Sequence, residues 1–288
     1  MTALFALATS LLWGLADFGG GLLTRRAPAL TVVVVSQCVA AAVLGVVVVA
    51  TSGWSEAGPR LWFAVAAGAV GPVAMLSFYK ALALGPMGVV SPLGSLGVAV
   101  PVSVGLLVGE RPGILQFAGV AVAVAGVVLA GGPQLRGAPV QRQAVALTLL
   151  AAFGFGAVMS LISEASTTVP GLFLALFVQR VTNIVVGGTA LCVSVRRGGR
   201  ALPREGGLGA VRSALPALAF VGLADVAANG TYSIAAQHGP VTVAAVLASL
   251  YPVVTALAAR GVLGERLRGV QAAGATLALL GTVLLATG

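Results

Sequence analysis

GERPGILQFAGVAVAVAG, residues 109–126, and GERLRGVQAAGATLALLG, residues 264–281, are one pattern written twice. Gly109-Glu110-Arg111 recurs as Gly264-Glu265-Arg266, and Gln116, Gly119 and Gly126 recur as Gln271, Gly274 and Gly281, all at one offset of 155 positions. Self-similarity at a fixed offset marks an internal duplication. Working outward, Tyr79 stands six residues before Gly85, and Tyr232 stands seven before Gly239. Towards the N-terminus the offset shortens, with Trp13-Gly14 falling against Phe153-Gly154.

The duplicated unit is made of apolar runs. A helix needs about 20 apolar residues to cross roughly 30 Å of hydrocarbon. Ten such runs lie at 3–23, 30–50, 61–83, 88–108, 114–132, 143–163, 171–193, 213–236, 240–260 and 269–287. Gly, Pro and Arg cluster between them, at Arg25-Arg26, Gly85-Pro86, Glu110-Arg111-Pro112 and Gly239-Pro240, where helix ends belong. The stretch from Arg196 to Arg212 is the one long loop. The first run, Thr2 to Leu23, has no basic residue ahead of it and is long enough to span, so it reads as a helix and not as a cleaved leader.

Composition agrees. The chain has 288 residues, 59% of them apolar, and only 8% charged, against about 25% in ordinary soluble domains. Its mean hydropathy is +1.08. Disordered, collagen-like and disulfide-stapled classes are excluded. The net charge of +9 comes from basic residues scattered between apolar runs, which does not form a nucleic-acid groove. Cys38 and Cys192 sit inside apolar runs as small packing residues. The expected fold is therefore an all-α, multi-pass membrane protein of ten transmembrane helices in two five-helix repeats. The repeats occupy 1–132 and 143–288, with a linker at 133–142. Five is odd, so the second repeat enters the membrane from the opposite side. Inverted repeats of this kind serve alternating access around a midplane site.

The paired halves, Trp13-Gly14 in the first run, Tyr79-Lys80-Ala81-Leu82, and the Gly-Glu-Arg before a glycine-rich last run in each half resemble the EamA-domain members of the drug/metabolite transporter superfamily. That family carries a mid-helix proline thirteen residues before the Glu. Pro252 matches it in the second half, while Gly97 stands there in the first, with Pro92 and Pro101 nearby. The resemblance implies a transporter of small organic metabolites or drugs in the cell membrane.

Three charged residues fall well inside predicted spans: Asp17, Arg180 and Asp225. A charge near the bilayer centre costs at least about 2.5–3.5 kcal/mol on insertion scales, so each is a functional candidate. Arg180 and Asp225 can form a structural ion pair, can handle substrate or protons, or can do both. Lys80 and Arg260 lie near span ends and can snorkel. Asp225, Asn229, Tyr232 and Ser233 make one polar stripe on the eighth run, which lipid does not solvate. The seventh run adds Gln179 and Asn183, and the first adds Trp13 one turn from Asp17. Pro92, Gly97 and Pro101, and Tyr251-Pro252, mark the fourth and ninth runs as broken helices, which free backbone carbonyls for a ligand or water or simply kink for packing. Ser91 and Ser95 share a face of the fourth run, and Ser249 lies one turn before Pro252.

These residues predict a central site lined by Trp13, Asp17, Tyr79, Ser95, Asp225, Asn229, Tyr232 and Tyr251. Asp17 and Asp225 are the proton-coupling candidates, with Asp17 the better one if Arg180 pairs with Asp225. Glu110 and Glu265 read as solvated helix-end residues, His238 as a loop residue, and Gly105 and Gly109 as packing residues. No metal or cofactor is indicated: one histidine cannot build a multi-histidine site, and no phosphate-binding loop is present. The expected partners are a small-molecule substrate and the lipid bilayer; the oligomeric state is left open, a monomer being compatible with the pattern. A lipid-moving protein of the same architecture is the alternative, with an intramembrane enzyme a distant third.

Basic residues orient the chain. Loops that follow odd-numbered runs, with adjoining span ends, hold 13 Lys and Arg, and those after even-numbered runs hold Arg60 and Arg111. Basic loops stay cytoplasmic, which puts both termini outside. The resemblance implies the opposite, since many family members have cytoplasmic termini. The charge bias of this chain favours the first.

Overall fold

The computed structural model of the protein describes residues 2–98, 100, 113–130, 142–165, 168–237, 247–248, 250–265 and 269–287. Pro101, Gly105, Gly109, Glu110, His238 and Ser249 lie outside them. Among the described residues the chain is all-helical. The α-helices are α1 (Thr2–Thr24), α2 (Ala29–Ala50), α3 (Leu61–Leu84), α4 (Met87–Gly94), α5 (Ile114–Ala130), α6 (Arg142–Ala165), α7 (Val169–Arg196), α8 (Gly207–Gln237), α9 (Tyr251–Leu263) and α10 (Gly269–Thr287). Six of these, α1, α2, α3, α6, α7 and α8, are long and apolar enough to cross a membrane.

Local chemistry sets the boundaries. Thr168 caps α7, its hydroxyl accepting from Gly171 N at 3.2 Å, and Pro170 occupies the first turn, where no N–H is needed. α4 is short: Pro92 lies inside it, and the chain tightens into a 3₁₀ turn over Ser95–Val98. Pro252 stands in the first turn of α9, at a break and not within a continuous helix. The expected long loop is shorter than the sequence suggests. α8 begins at Gly207, so Arg212 is helical; Gly206 and Gly207, at φ of 75° and 47°, make the left-handed turn into it.

The helices pair across the two halves. α1 packs on α8, α2 on α7, α3 on α6, α4 on α9 and α5 on α10. Secondary contacts are also mutual: α1 meets α9 as α6 meets α4, and α2 meets α8 as α7 meets α3. Replacing each helix by the one five places along maps these pairs onto one another, while the α1–α3 and α4–α10 contacts have no comparable counterpart among the described residues. Close approaches repeat likewise. A methyl on Gly14 would meet Tyr251 O, and one on Gly156 would meet Gly97 O. One on Gly68 would meet Gln179 O, and one on Gly222 would meet Ser36 O. The counterpart of Gly14 by contact is thus Gly156, which corrects the match to Gly154 suggested by the aromatic-glycine dipeptide.

One end of the bundle gathers the loops after α1, α3, α7 and α9. Arg25 pairs with Glu265 at 3.1 Å and donates to Leu82 O, and Thr31 Oγ1 donates to Ala201 O at 2.5 Å. At the other end Thr168 Oγ1 donates to Glu56 at 2.9 Å. The largest packed cluster, with Phe18, Val32, Phe78, Leu82, Met87 and Val221, joins α1, α2, α3, α4 and α8.

Without a hydrophobic drive between helices in lipid, such small-residue contacts carry the packing. Gly126→Ala, whose methyl would meet Ala278 N, and Gly222→Ala should each lower stability by about 1–3 kcal/mol. Gly188→Ala, with open space around it in α7, should be neutral or stabilising by up to about 1 kcal/mol. Thermal unfolding of the purified variants checks the contrast.

Candidate functional site

A polar knot lies where α2, α7 and α8 meet. Arg180 on α7 places Nη2 2.7 Å from Asp225 Oδ2 on α8, an ion pair made off the hydrogen-bond direction. Its Nη1 donates to Gln37 Oε1 on α2 at 2.8 Å, and Asn183 Nδ2 donates to the same oxygen at 3.1 Å. Asn229, one turn after Asp225, donates to Asp225 O at 2.7 Å. Gln37, Gln179, Arg180 and Asn183 are buried, while Asp225 keeps 21% side-chain exposure. The knot is not saturated: Arg180 Nε, Gln179 Oε1 and Asn183 Oδ1 are buried without a hydrogen bond. Each such group costs about 1–3 kcal/mol unless water or a ligand meets it.

Next to the knot lies an aromatic corner. The Trp13 ring is 6.1 Å from Tyr232 and 6.2 Å from Tyr251 by centroids, tilted to the first and edge-on to the second. Thr255 on α9 donates to Gly14 O at 3.0 Å, which holds α9 against α1 beside Trp13. Asp17 follows one turn along α1. It interacts electrostatically with Asp225, and Tyr79 interacts with Asp17, Asp225 and Arg180. The Tyr79 ring packs against Gly20, where no side chain would fit. Among the described residues no hydrogen bond or ion pair reaches the Asp17 carboxylate. Trp13, Asp17, Asn229, Tyr232 and Tyr251 all keep partial exposure.

The structure therefore brings Trp13, Asp17, Tyr79, Arg180, Asp225, Asn229, Tyr232 and Tyr251 into one region. Ser95 donates to Pro92 O at 2.7 Å. Sequence reasoning missed Gln37, which accepts from both Arg180 and Asn183; the signal was the lone amide in the Val- and Ala-rich run 29–50. It also misjudged Glu265. That carboxylate is not a solvated helix-end group: Oε2 accepts from Met87 N at 2.9 Å and Gly88 N at 3.5 Å while Oε1 pairs with Arg25. The unsatisfied N–H groups and positive dipole end of α4 account for the capture.

A cavity of about 540 Å³ lies elsewhere, between α4, α9 and α10. Pro92, Pro252, Leu257, Leu279, Arg260 and Glu265 border it, and none of the eight predicted lining residues does. Among the described residues no three His, Cys, Asp or Glu side chains come together to hold a metal ion.

The EamA-like transporter family matches residues 1–132 and again 142–287. The chain belongs to this family. Its members are transporters, and this EamA chain is a multi-pass membrane protein. No curated protein matches it. A solved crystal structure of a protein whose name states no activity is similar over 98% of this chain and 95% of its own, at 18% identity and a TM-score of 0.59; the likeness is one of fold.

Removing one partner of the Arg180–Asp225 pair leaves an uncompensated charge inside the helix bundle. Arg180→Met or Asp225→Leu alone should destabilise the EamA chain by about 3 kcal/mol, and the double variant should recover most of that. Thermal unfolding of the four proteins in one detergent closes the cycle.

Proposed function

We propose that this EamA protein is a secondary transporter that moves a small organic solute by alternating access around the region bounded by Trp13, Asp17, Tyr79, Asp225, Asn229, Tyr232 and Tyr251. The observation that carries the reading is the Asp17 carboxylate, without a hydrogen bond or ion pair among the described residues, set between an aromatic corner and a polar knot with unfilled bonding capacity. In this reading the partly exposed groups among them, Trp13, Asp17, Asn229, Tyr232 and Tyr251, are placed to line the solute's path. The exchange pattern of helix contacts supports two inverted halves, 1–132 and 143–288 joined at 133–142, that rock about this space.

Asp17 is the proton carrier in this reading. Arg180 already neutralises Asp225, whereas no basic side chain among the described residues pairs with Asp17. In vesicles, Asp17→Asn should lose the pH dependence of transport and fall about tenfold or more in rate at the optimum. Asp225→Asn should keep that dependence. Flux that remains fully pH-dependent in both variants rejects the assignment.

A second reading has one observation behind it. The cavity between α4, α9 and α10 has mainly apolar walls with Arg260 and Glu265 at its border, a shape suited to a lipid chain. Scrambling of labelled lipid in proteoliposomes, unaffected by Asp17→Asn, would favour it.

Orientation follows the basic end. The gathered loops after α1, α3, α7 and α9 carry Arg25, Arg26, Arg196, Arg197, Arg200 and Arg204, and they lie on the cytoplasmic side of the cell membrane with both termini outside. A reporter that works only in the cytoplasm, fused after Gly288, should stay silent; strong signal reverses the orientation.

A further inference from the structure

The cavity between α4, α9 and α10 has the form of a groove with one polar end. α9 and α10 each pack on α4 more than on each other, so α4 is the floor and the other two helices are the walls. Pro252, Ala256 and Arg260 recur every four residues along α9, and Ala272, Thr276 and Leu279 stand at i, i+4 and i+7 on α10. Val253 and Leu257 complete the first wall and stay 40% and 63% exposed, so this wall faces lipid. On α4 the floor is Gly88 and Pro92. From Pro252 to Arg260 the rise is about 12 Å, most of one leaflet of a hydrocarbon core of roughly 30 Å.

Both charged residues of the lining lie at the basic end. Glu265 is already engaged, with Oε1 on Arg25 and Oε2 on Met87 N and Gly88 N. Arg260, in the last turn of α9, is not. The ion pairs of the described residues are Arg25–Glu265 and Arg180–Asp225, and among those residues no hydrogen bond reaches Arg260 either. Snorkelling accounts for a cation beside water, but this one borders a cavity whose other walls are mainly apolar. A guanidinium pairs best with an anion that it can fork, and phosphate is the anion that a bilayer supplies at its surface. Basic pockets between membrane helices are where acidic headgroups lodge. A second copy of the chain is a poor source of the missing countercharge, with seven acidic residues against sixteen basic ones.

We propose that this groove holds one anionic phospholipid of the surrounding bilayer, its phosphate on Arg260 and an acyl chain laid between α9 and α10 down to the Pro92 and Pro252 breaks. The lipid is a resident part of the fold, which sets this apart from the reading of the same cavity as a lipid path. It does not depend on Asp17 or on the aromatic corner. The lipid braces α9 and α10 on α4, and because it binds only the folded chain it raises thermal stability.

The test uses the full-length protein in a mild detergent, with palmitoyl-oleoyl phosphatidylglycerol as probe and the phosphatidylcholine of the same chains for comparison. Native mass spectrometry counts bound lipid, and thermal unfolding follows its effect. One phosphatidylglycerol should be retained per chain, about fivefold or more tighter than phosphatidylcholine, and should raise the unfolding temperature. Arg260→Gln should remove that preference, and Arg260→Lys should keep part of it. Arg196→Gln, which removes a charge outside the groove lining, should leave it intact. Ala272→Leu, which fills the groove without touching a charge, should weaken both lipids. A preference that survives Arg260→Gln overturns the proposal, as does equal binding of the two lipids. Equally effective competition by glycerophosphoglycerol, the headgroup without chains, overturns it in favour of a free-anion site. A mass of two chains that Ala272→Leu reduces to one makes the groove an interface between copies, and lipid scrambling abolished by Arg260→Gln makes the lipid cargo; either result overturns a resident lipid.

Discussion

Arg180 is the group on which the arrangement of α2, α7 and α8 depends. Hydrocarbon offers it no water, so its guanidinium must be met by protein. Asp225 supplies the countercharge from α8 and Gln37 supplies an oxygen from α2. One side chain thereby fixes three helices, two from the second half and one from the first. The helices around the knot approach closely because glycines stand at the crossings: a side chain at Gly71 would run into Asn183, and one at Gly68 into Thr182. The crossing beside Gln37 is of the same kind: a side chain at Gly222 on α8 would meet Ser36 O and Ala40 N on α2.

Apolar runs, their breaks and the repeat could be read from residue order, because span length and turn chemistry are local properties. Candidate site residues were legible for a related reason. Asp17, Arg180 and Asp225 announce themselves by standing in apolar runs, and the Asp225–Asn229–Tyr232 stripe is visible at helical spacing. What residue order did not carry was the partner of each group. Gln37 is an ordinary uncharged residue until α2 is laid against α7. Glu265 looked solvated because its own neighbours in sequence are polar, yet it closes onto Met87 and Gly88, far away in the chain. The start of α8 was placed too late because Arg212 suggested a loop. The left-handed pair Gly206 and Gly207 sets the start earlier, and Arg212 falls in the second turn of the helix.

The two halves share their packing but not their chemistry. By contact, Gly68 on α3 corresponds to Gly222 on α8, and Ser36 on α2 to Gln179 on α7. The same correspondence sets Gln37 against Arg180 and Gly71 against Asp225. Each charge of the knot thus faces a neutral residue at the matching place in the other half. Matching Gly14 with Gly156 likewise sets Trp13 against Phe155 and Asp17 against Met159. Backbone crossings have been kept alike in both halves, while ionisable groups occupy one member of each pair.

That division suits the proposed alternating access around one site. Alternating access needs two conformations of similar energy, and halves that pack by equivalent contacts can exchange roles at little cost. A site needs the opposite: a second Asp17 or a second Arg180 would place like charges close together in a low-dielectric setting, where repulsion is strong. Symmetric glycine crossings with asymmetric charges satisfy both demands. The Glu265 contact belongs with the crossings, because it joins the last loop of one half to the start of α4 in the other. In the proposed alternating access, opening the basic end would require that carboxylate to leave Met87 N and Arg25, and water entering there would take over both partners.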